Sequence, residues 1–252
     1  MRNVRLYSFV AAGLVVVAVC GVLLWKPEAQ APAQKHSPTE PVKSAGSTFN
    51  KSQHSTTDPT SIWVVVNKQH ALNPKEYAPS DLVVPKVALR VPGNESMQVR
   101  AATASALETM FSDAKQQGTP LMLASGYRSY SYQVSLYGGY IKTQGQAEAD
   151  KQSARPGYSE HQTGLAADVE PLDRTCEVEN CFKDTPAGKW VAANAYKYGF
   201  IIRYASDKEA VTGYEYEPWH IRYIGVPLAT ELHNQNIETL EEFFSISGGT
   251  KY

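Results

Sequence analysis

Tyr158-Ser159-Glu160-His161-Gln162-Thr163-Gly164-Leu165-Ala166-Ala167-Asp168-Val169 places a histidine and an aspartate seven positions apart around a glycine, and Glu217-Pro218-Trp219-His220 follows further along the chain. Two histidines and one carboxylate are a standard catalytic zinc set, because three protein ligands leave a fourth position for water. Glu217 adds the carboxylate that such a water needs as a proton acceptor. Each residue alone has a bland explanation: His161 can cap a turn, Asp168 can pair with an arginine, and His220 can be a satisfied interior histidine. Together they stand among Gly, Pro and apolar neighbours rather than in a solvated charge run, so they read as partly buried polar groups that require partners.

Outward from this block, short strands and helices intermingle without regular alternation. Ile62-Trp63-Val64-Val65-Val66 is a β-branched and aromatic run that predicts a strand. From Met97 to Gln117 the apolar residues Val99, Ala102, Ala106, Leu107, Met110, Phe111 and Ala114 recur at helical spacing, and Gly118 supplies a stop. A strand is expected at Leu121–Ala124, a helix at Ser131–Gln144 weakened by Gly138 and Gly139, and a further helix at Thr185–Tyr198. Strands are expected at Phe200–Tyr204 and Trp219–Ile224. Because Pro218 cannot donate to a ladder, the last strand should start near Trp219 and leave Glu217 on the bend before it. Arg222 then shares a face with His220, as a neighbour of the metal residues or as a surface ion pair. The fold class is α+β: a single domain with a small, mainly antiparallel sheet and packed helices, and no internal repeat.

The chain resembles the VanY-type D-alanyl-D-alanine carboxypeptidases, relatives of the VanX dipeptidases and more distantly of lysostaphin and the hedgehog domain. The resemblance is carried by Val64-Val65-Val66-Asn67-Lys68, Ser125-Gly126-Tyr127-Arg128-Ser129 with Gln133, the block at Ser159, His161 and Asp168, Trp190 to Tyr204, and Glu217-Pro218-Trp219-His220. It implies Zn2+ held by His161, Asp168 and His220, with Glu217 as catalytic base. It places Arg128 near the scissile carbonyl, where it either stabilises the oxyanion or binds the terminal carboxylate. Ser125, Tyr127, Gln133, Tyr158 and Ser159 are candidate walls of the substrate groove, with core packing the alternative for the two tyrosines. Arg155 departs from the uncharged residue common before Pro-Gly in relatives, which puts contacts at the rim in doubt. The implied reaction removes the C-terminal D-alanine from peptidoglycan stem pentapeptides. An L,D-carboxypeptidase, a D,D-dipeptidase, an endopeptidase or a catalytically silent stem-peptide binding module are the competing readings.

The first quarter of the chain is of a different character. Leu6 to Trp25 is twenty residues without a charge, preceded by Arg2 and Arg5. It matches the ~20 residues that cross a bilayer, with the remainder outside the cytoplasm. A cleaved signal peptide is the competing reading, with Ala29-Gln30-Ala31 as small residues at a cleavable spacing. Cys20 lies in this run as a membrane-buried cysteine, since Val19 before it does not suit lipoprotein processing. The expected organisation is therefore a transmembrane signal anchor over residues 1–25, a disordered tether over 26–59 that includes His36 and His54, and a catalytic domain over 60–252. His70 and His233 fall outside every motif and are assigned to structure or surface.

Cys176 and Cys181, in an exported chain, are expected to form a local disulfide, with metal binding by the pair as the alternative. A net charge of -1 provides no field for phosphate backbones, so nucleic acid is not an expected partner. The expected partners are stem peptides and, through the N-terminal helix, the cell membrane; the expected state is a monomer.

Overall fold

The computed structural model describes residues 49–252; the expected membrane anchor and the tether up to residue 48 lie outside them. In chain order the elements are β1 (Leu82–Val83), β2 (Val99–Arg100), α1 (Ala101–Gln116), β3 (Leu121–Ser125), α2 (Tyr130–Gln144), α3 (Gln146–Gln152), β4 (Ala166–Pro171), α4 (Pro186–Asn194), β5 (Phe200–Ile202), α5 (Glu209–Thr212), β6 (His220–Tyr223), α6 (Val226–Gln235) and α7 (Leu240–Phe244). β1 and β2 form a small antiparallel pair. The main sheet is antiparallel with order β3-β4-β6-β5.

Alternation along the strands gives this sheet two unlike faces. Leu121, Leu123, Ala167, Val169 and Ile221 point into the principal core, where they meet Leu107, Met110, Phe111 and Ala114 of α1 and Trp190 and Val191 of α4. The intervening residues Asp168, Glu170, His220 and Arg222 occupy the opposite face and are buried too. The sheet thus presents four ionisable side chains away from its oil-like side, so each must find a partner within the protein.

The helices begin and end for local reasons. Ser129 Oγ accepts from Tyr132 N at the start of α2, and Thr185 Oγ1 accepts from Gly188 N at the start of α4, with Pro186 in its first turn. α2 runs unbroken through Gly138 and Gly139, where a Cβ would meet nothing within 4 Å, until Gly145 at φ 83° ends it. α1 begins at Ala101, four residues later than the apolar spacing suggests, because Met97 and Val99 are buried from a 3-10 turn and from β2.

The expected strand at Ile62–Val66 is absent from the sheet. Those residues are buried on both sides, Trp63 and Val65 against Leu228, Leu232 and Phe243, and Val64 and Val66 against Leu72 and Leu165. Their carbonyls go to a side chain instead of a ladder: Arg222 Nη2 donates to Ile62 O at 3.1 Å and Val64 O at 2.7 Å. The β-branched run therefore reports burial, not pairing.

Residues 49–59 belong to the folded unit, not to a tether. The Phe49 ring stacks on Trp63 at 5.6 Å, His54 meets Trp63 edge-on at 4.7 Å, and Lys51 Nζ donates to Phe243 O at 2.5 Å. Among the described residues no helix is long and apolar enough to cross a membrane. Cys176 and Cys181 are joined in a disulfide. His70 Nε2 contacts Ser247 Oγ at 3.0 Å and His233 stacks on Tyr196 at 3.6 Å, both in structural roles.

Candidate metal centre

Asp168 and His220 are register partners across β4 and β6, which fixes both side chains on the same face of the sheet. His161 arrives from the 3-10 turn Glu160–Thr163 just before β4; Gly164 at φ 67° reverses the chain, and a Cβ there would meet Arg100 Cγ at 2.9 Å. Ligand atoms of the three residues lie within 4.8 Å of one another, and all three residues are buried.

The tautomer of His161 follows from its neighbour. Its Nδ1 lies 2.6 Å from Gly126 O, and a carbonyl only accepts, so the proton is on Nδ1 and the Nε2 lone pair is bare. That lone pair faces Asp168 Oδ2 at 3.4 Å. Burial, helped by the Arg128 guanidinium, pushes the His161 pKa down to about 4, so the ring is neutral at physiological pH and the contact is acceptor against acceptor.

A cation between them resolves this contact. On the other side Asp168 Oδ1 is 3.1 Å from His220 Nδ1. A tetrahedral zinc with bonds of about 2.0–2.1 Å sets its ligand atoms about 3.3 Å apart; the two spacings are close to that, each taken to a different oxygen of the carboxylate. Burial opposes charge on Asp168, yet the carboxyl is held well below its ordinary range, with the Arg128 guanidinium 2.9 Å from Oδ2. The three residues therefore fit a zinc ion in both spacing and charge.

Glu217 sits on the bend before β6, as Pro218 requires, with its N–H donated to Tyr204 O at 3.1 Å and Glu217 Oε2 3.7 Å from His220 Nδ1. Its carboxyl is about a quarter exposed and borders the cleft. Burial, reinforced by the negative charge of Asp168, pushes its pKa up to about 7 despite His220 and Arg128. Arg128 holds Asp168 Oδ2 at 2.9 Å through Nη2 and Ser125 Oγ at 3.2 Å through Nε. The cleft has a volume of about 290 Å³ and is bordered by Arg128, Gln133, Ser159, Tyr204, Val178 and Trp219 around the metal residues. Gln133 donates to Ser153 Oγ at 3.0 Å and Ala154 O at 2.7 Å, leaving its buried Oε1 without a partner.

Gln133 and Ser159 thus reach the cleft as expected, and Ser125 acts from behind through Arg128. Tyr127 is 6% exposed, with its backbone N–H on Gln98 O, and Tyr158 packs edge-on against Tyr252 at 5.2 Å. Neither ring borders the cleft. Arg155 at the rim is paired with Asp150 through Nε at 3.0 Å and Nη2 at 2.8 Å. Glu160, which no motif singles out, is 1% exposed and lies against His220. Its position beside His161 was the one available signal. Arg222 is fully buried and pairs with Glu160 at 2.6 Å, so it is a neighbour of the metal residues and not a surface ion pair.

Comparison with known proteins agrees with this geometry. Residues 96–226 match the sequence profile of the family described as VanY, D-alanyl-D-alanine carboxypeptidase. YodJ of Bacillus subtilis (strain 168) is 46% identical over 190 residues, which are 74% of this chain and 68% of that protein. The solved structure of the LdcB LD-carboxypeptidase, reported as revealing the basis of peptidoglycan recognition, is similar at a TM-score of 0.71 and 45% identity, covering 75% of this chain and 88% of that one. A mutant of the vancomycin-resistance D,D-pentapeptidase VanY in complex with Zn(II) is similar at a TM-score of 0.58 and 29% identity, covering 72% and 97%.

Proposed function

The chain belongs to the VanY family of D-alanyl-D-alanine carboxypeptidases, and on that premise we propose that it removes the C-terminal D-alanine from peptidoglycan stem pentapeptides, with zinc held by His161, Asp168 and His220 and Glu217 as the catalytic base. The observation that carries this reading is the convergence of two histidine nitrogens and a carboxylate within 4.8 Å of one another, with the Glu217 carboxyl 3.7 Å from His220.

Zinc bound there supplies Lewis acidity and a water of lowered pKa. The protein's own groups do the rest. Glu217, poised near neutral pH, takes the proton of the attacking water and delivers it to the leaving amine. Arg128, anchored by Asp168 and Ser125, offers a fixed cation to the carbonyl oxygen as charge develops, a kind of stabilisation worth roughly 3 to 4 kcal/mol. Gln133 Oε1, buried and without a partner, offers an acceptor to a substrate N–H.

A second reading is L,D-carboxypeptidase activity on tetrapeptides. It is favoured by the similarity to LdcB, at 45% identity and a TM-score of 0.71 against 29% and 0.58 for the D,D-pentapeptidase. The charge-free run Leu6–Trp25 after Arg2 and Arg5 supports a single-pass membrane anchor with this domain outside the cytoplasm, where both substrates occur. The Cys176–Cys181 disulfide suits that oxidising side.

Mass analysis of a muramyl pentapeptide and a tetrapeptide incubated with the zinc-loaded protein, with and without chelator, tests the proposal. Chelator-sensitive loss of one alanine from the pentapeptide is expected. Loss from the tetrapeptide alone would move the assignment to the L,D reading, and two intact substrates would leave a binding module.

A further inference from the structure

Beside His220 Nε2 lies a closed group of buried charges. Glu160 Oε1 accepts from Arg203 Nε at 2.8 Å and from Arg222 Nη1 at 2.6 Å. Arg203 spends its other two nitrogens on Glu241, at 2.9 and 2.7 Å, and Glu241 also accepts from Asn67 Nδ2 at 2.9 Å. The side chains of Glu160, Arg203 and Arg222 are 0% exposed and that of Glu241 2%. Two guanidinium groups balance two carboxylates, so burial does not force Glu160 to take up a proton.

One atom of this group is left over. Glu160 Oε2 has no hydrogen-bond partner, and 3.6 Å away His220 Nε2 has none either. An ionised carboxylate only accepts, and an imidazole nitrogen facing it gains by carrying the proton. The opposite nitrogen of the same ring, Nδ1, also faces carboxylates, Asp168 Oδ1 at 3.1 Å and Glu217 Oε2 at 3.7 Å, so by the same argument it carries a proton until a metal takes its place.

We infer that Glu160 is a positioning residue for the metal centre: its free oxygen accepts the Nε2 proton of His220 and holds the ring in the tautomer whose Nδ1 lone pair is turned to the metal. At 3.6 Å the two atoms stand about half an ångström beyond hydrogen-bond distance, a gap that a small rotation of either side chain would close. His161 is held the same way by Gly126 O at its Nδ1, so the two histidines are oriented by opposite ring nitrogens. Through Arg203 and Glu241 the orientation of a zinc ligand is tied to α7, and through Arg222 to the backbone at Ile62 and Val64. The inference rests on the zinc reading above, and its test has a separate readout.

Glu160→Gln is the informative substitution. The two arginines remain donors, so the amide oxygen stays with them and the NH2 turns toward His220. That arrangement favours a bare Nε2 and a protonated Nδ1, the tautomer that cannot ligate. Zinc affinity, measured by chelator competition, should fall about 10–100-fold, the usual effect of losing a carboxylate behind a metal-binding histidine.

The second measurement uses the unaltered full chain, labelled with nitrogen-15 and loaded with zinc: the ring nitrogens of His220 should report a proton on Nε2 and none on Nδ1. A proton on Nδ1 would overturn the inference whether or not the Glu160→Gln protein folds. A folded Glu160→Gln protein with zinc affinity within twofold of the original would also overturn it. Intact stem peptides together with the expected tautomer would count against the proposed reaction and leave this role for Glu160 standing.

Discussion

Asp168 Oδ1 stands 3.1 Å from His220 Nδ1 because the two residues are opposed in the β4–β6 ladder. A register slip of one residue in either strand would turn that strand's ligand into the apolar core and leave the other without it, so pairing of the sheet and assembly of the centre are one event. Asp168→Asn keeps the shape and the ladder while removing the anion that the two histidines and Arg128 share. The expected result is a folded protein, by far-ultraviolet circular dichroism, that retains little zinc after dialysis. A full complement of zinc in that variant would remove Asp168 from the ligand set.

Gly126 tests the orientation of the other histidine. A Cβ at this position would lie 2.8 Å from Val99 Cγ1 and closer still to the Gln98 carbonyl, which accepts from Tyr127 N. Gly126→Ala must push this backbone away and with it the carbonyl that fixes His161. The loss of stability expected for such overpacking is about 1–3 kcal/mol, accompanied by weaker zinc binding. Stability lost in urea with zinc affinity unchanged would show that the carbonyl does not position the ligand.

Glu217 predicts a pH dependence of known sign. A base must be unprotonated, and with a pKa of about 7 the rate should fall as pH drops through neutrality instead of near the ordinary glutamate value of 4.5. Glu217→Gln should keep its zinc and lose turnover by roughly 10²–10⁴-fold. The linkage runs the opposite way to that of a depressed carboxylate. A folded-state pKa above the unfolded one contributes stability below pH 4.5 that is lost as pH rises through 7. Urea titrations of the metal-free protein across that window should show this loss, and it should be absent from Glu217→Gln.

The metal residues were legible because their chemistry is concentrated in two short blocks, and because Pro218 forces the bend that turns Glu217 inward. The bend could be read from one residue; the partners of Glu160 could not. Arg203 and Arg222 lie 43 and 62 positions away from it, and no local pattern announces an ion pair of that separation. Ile62–Val66 failed as a strand for a related reason. Its β-branched residues record that the segment is buried, which helix, strand and extended coil can all satisfy, whereas pairing depends on where distant chain lies. Here the distant group is a guanidinium. Tyr127 and Tyr158 show the same limit, since proximity in sequence to cleft residues does not decide which side of the backbone a ring occupies.

The loop closed by Cys176 and Cys181 makes the last prediction, about substrate hold. Arg174, Cys176 and Val178 adopt φ of 63°, 60° and 47°, uncommon for residues with a Cβ and most costly for a β-branched one. Val178 nevertheless borders the cleft. Arg90 pins the loop to the sheet, with Nη2 2.6 Å from Glu177 and 2.8 Å from Glu170, two positions beyond Asp168 on the same strand. The disulfide therefore maintains a backbone that would otherwise relax and withdraw one wall of the cleft. Chain entropy for a closed loop this short gives about 2 kcal/mol of stabilisation. Replacing both cysteines by serine should lower stability by about that amount, leave bound zinc unchanged, and raise KM severalfold with a smaller change in kcat, because the metal, Glu217 and Arg128 stay in place. Reduction of the original protein should reproduce the KM effect. An unchanged KM in both experiments would show that the loop closes the structure without touching the substrate.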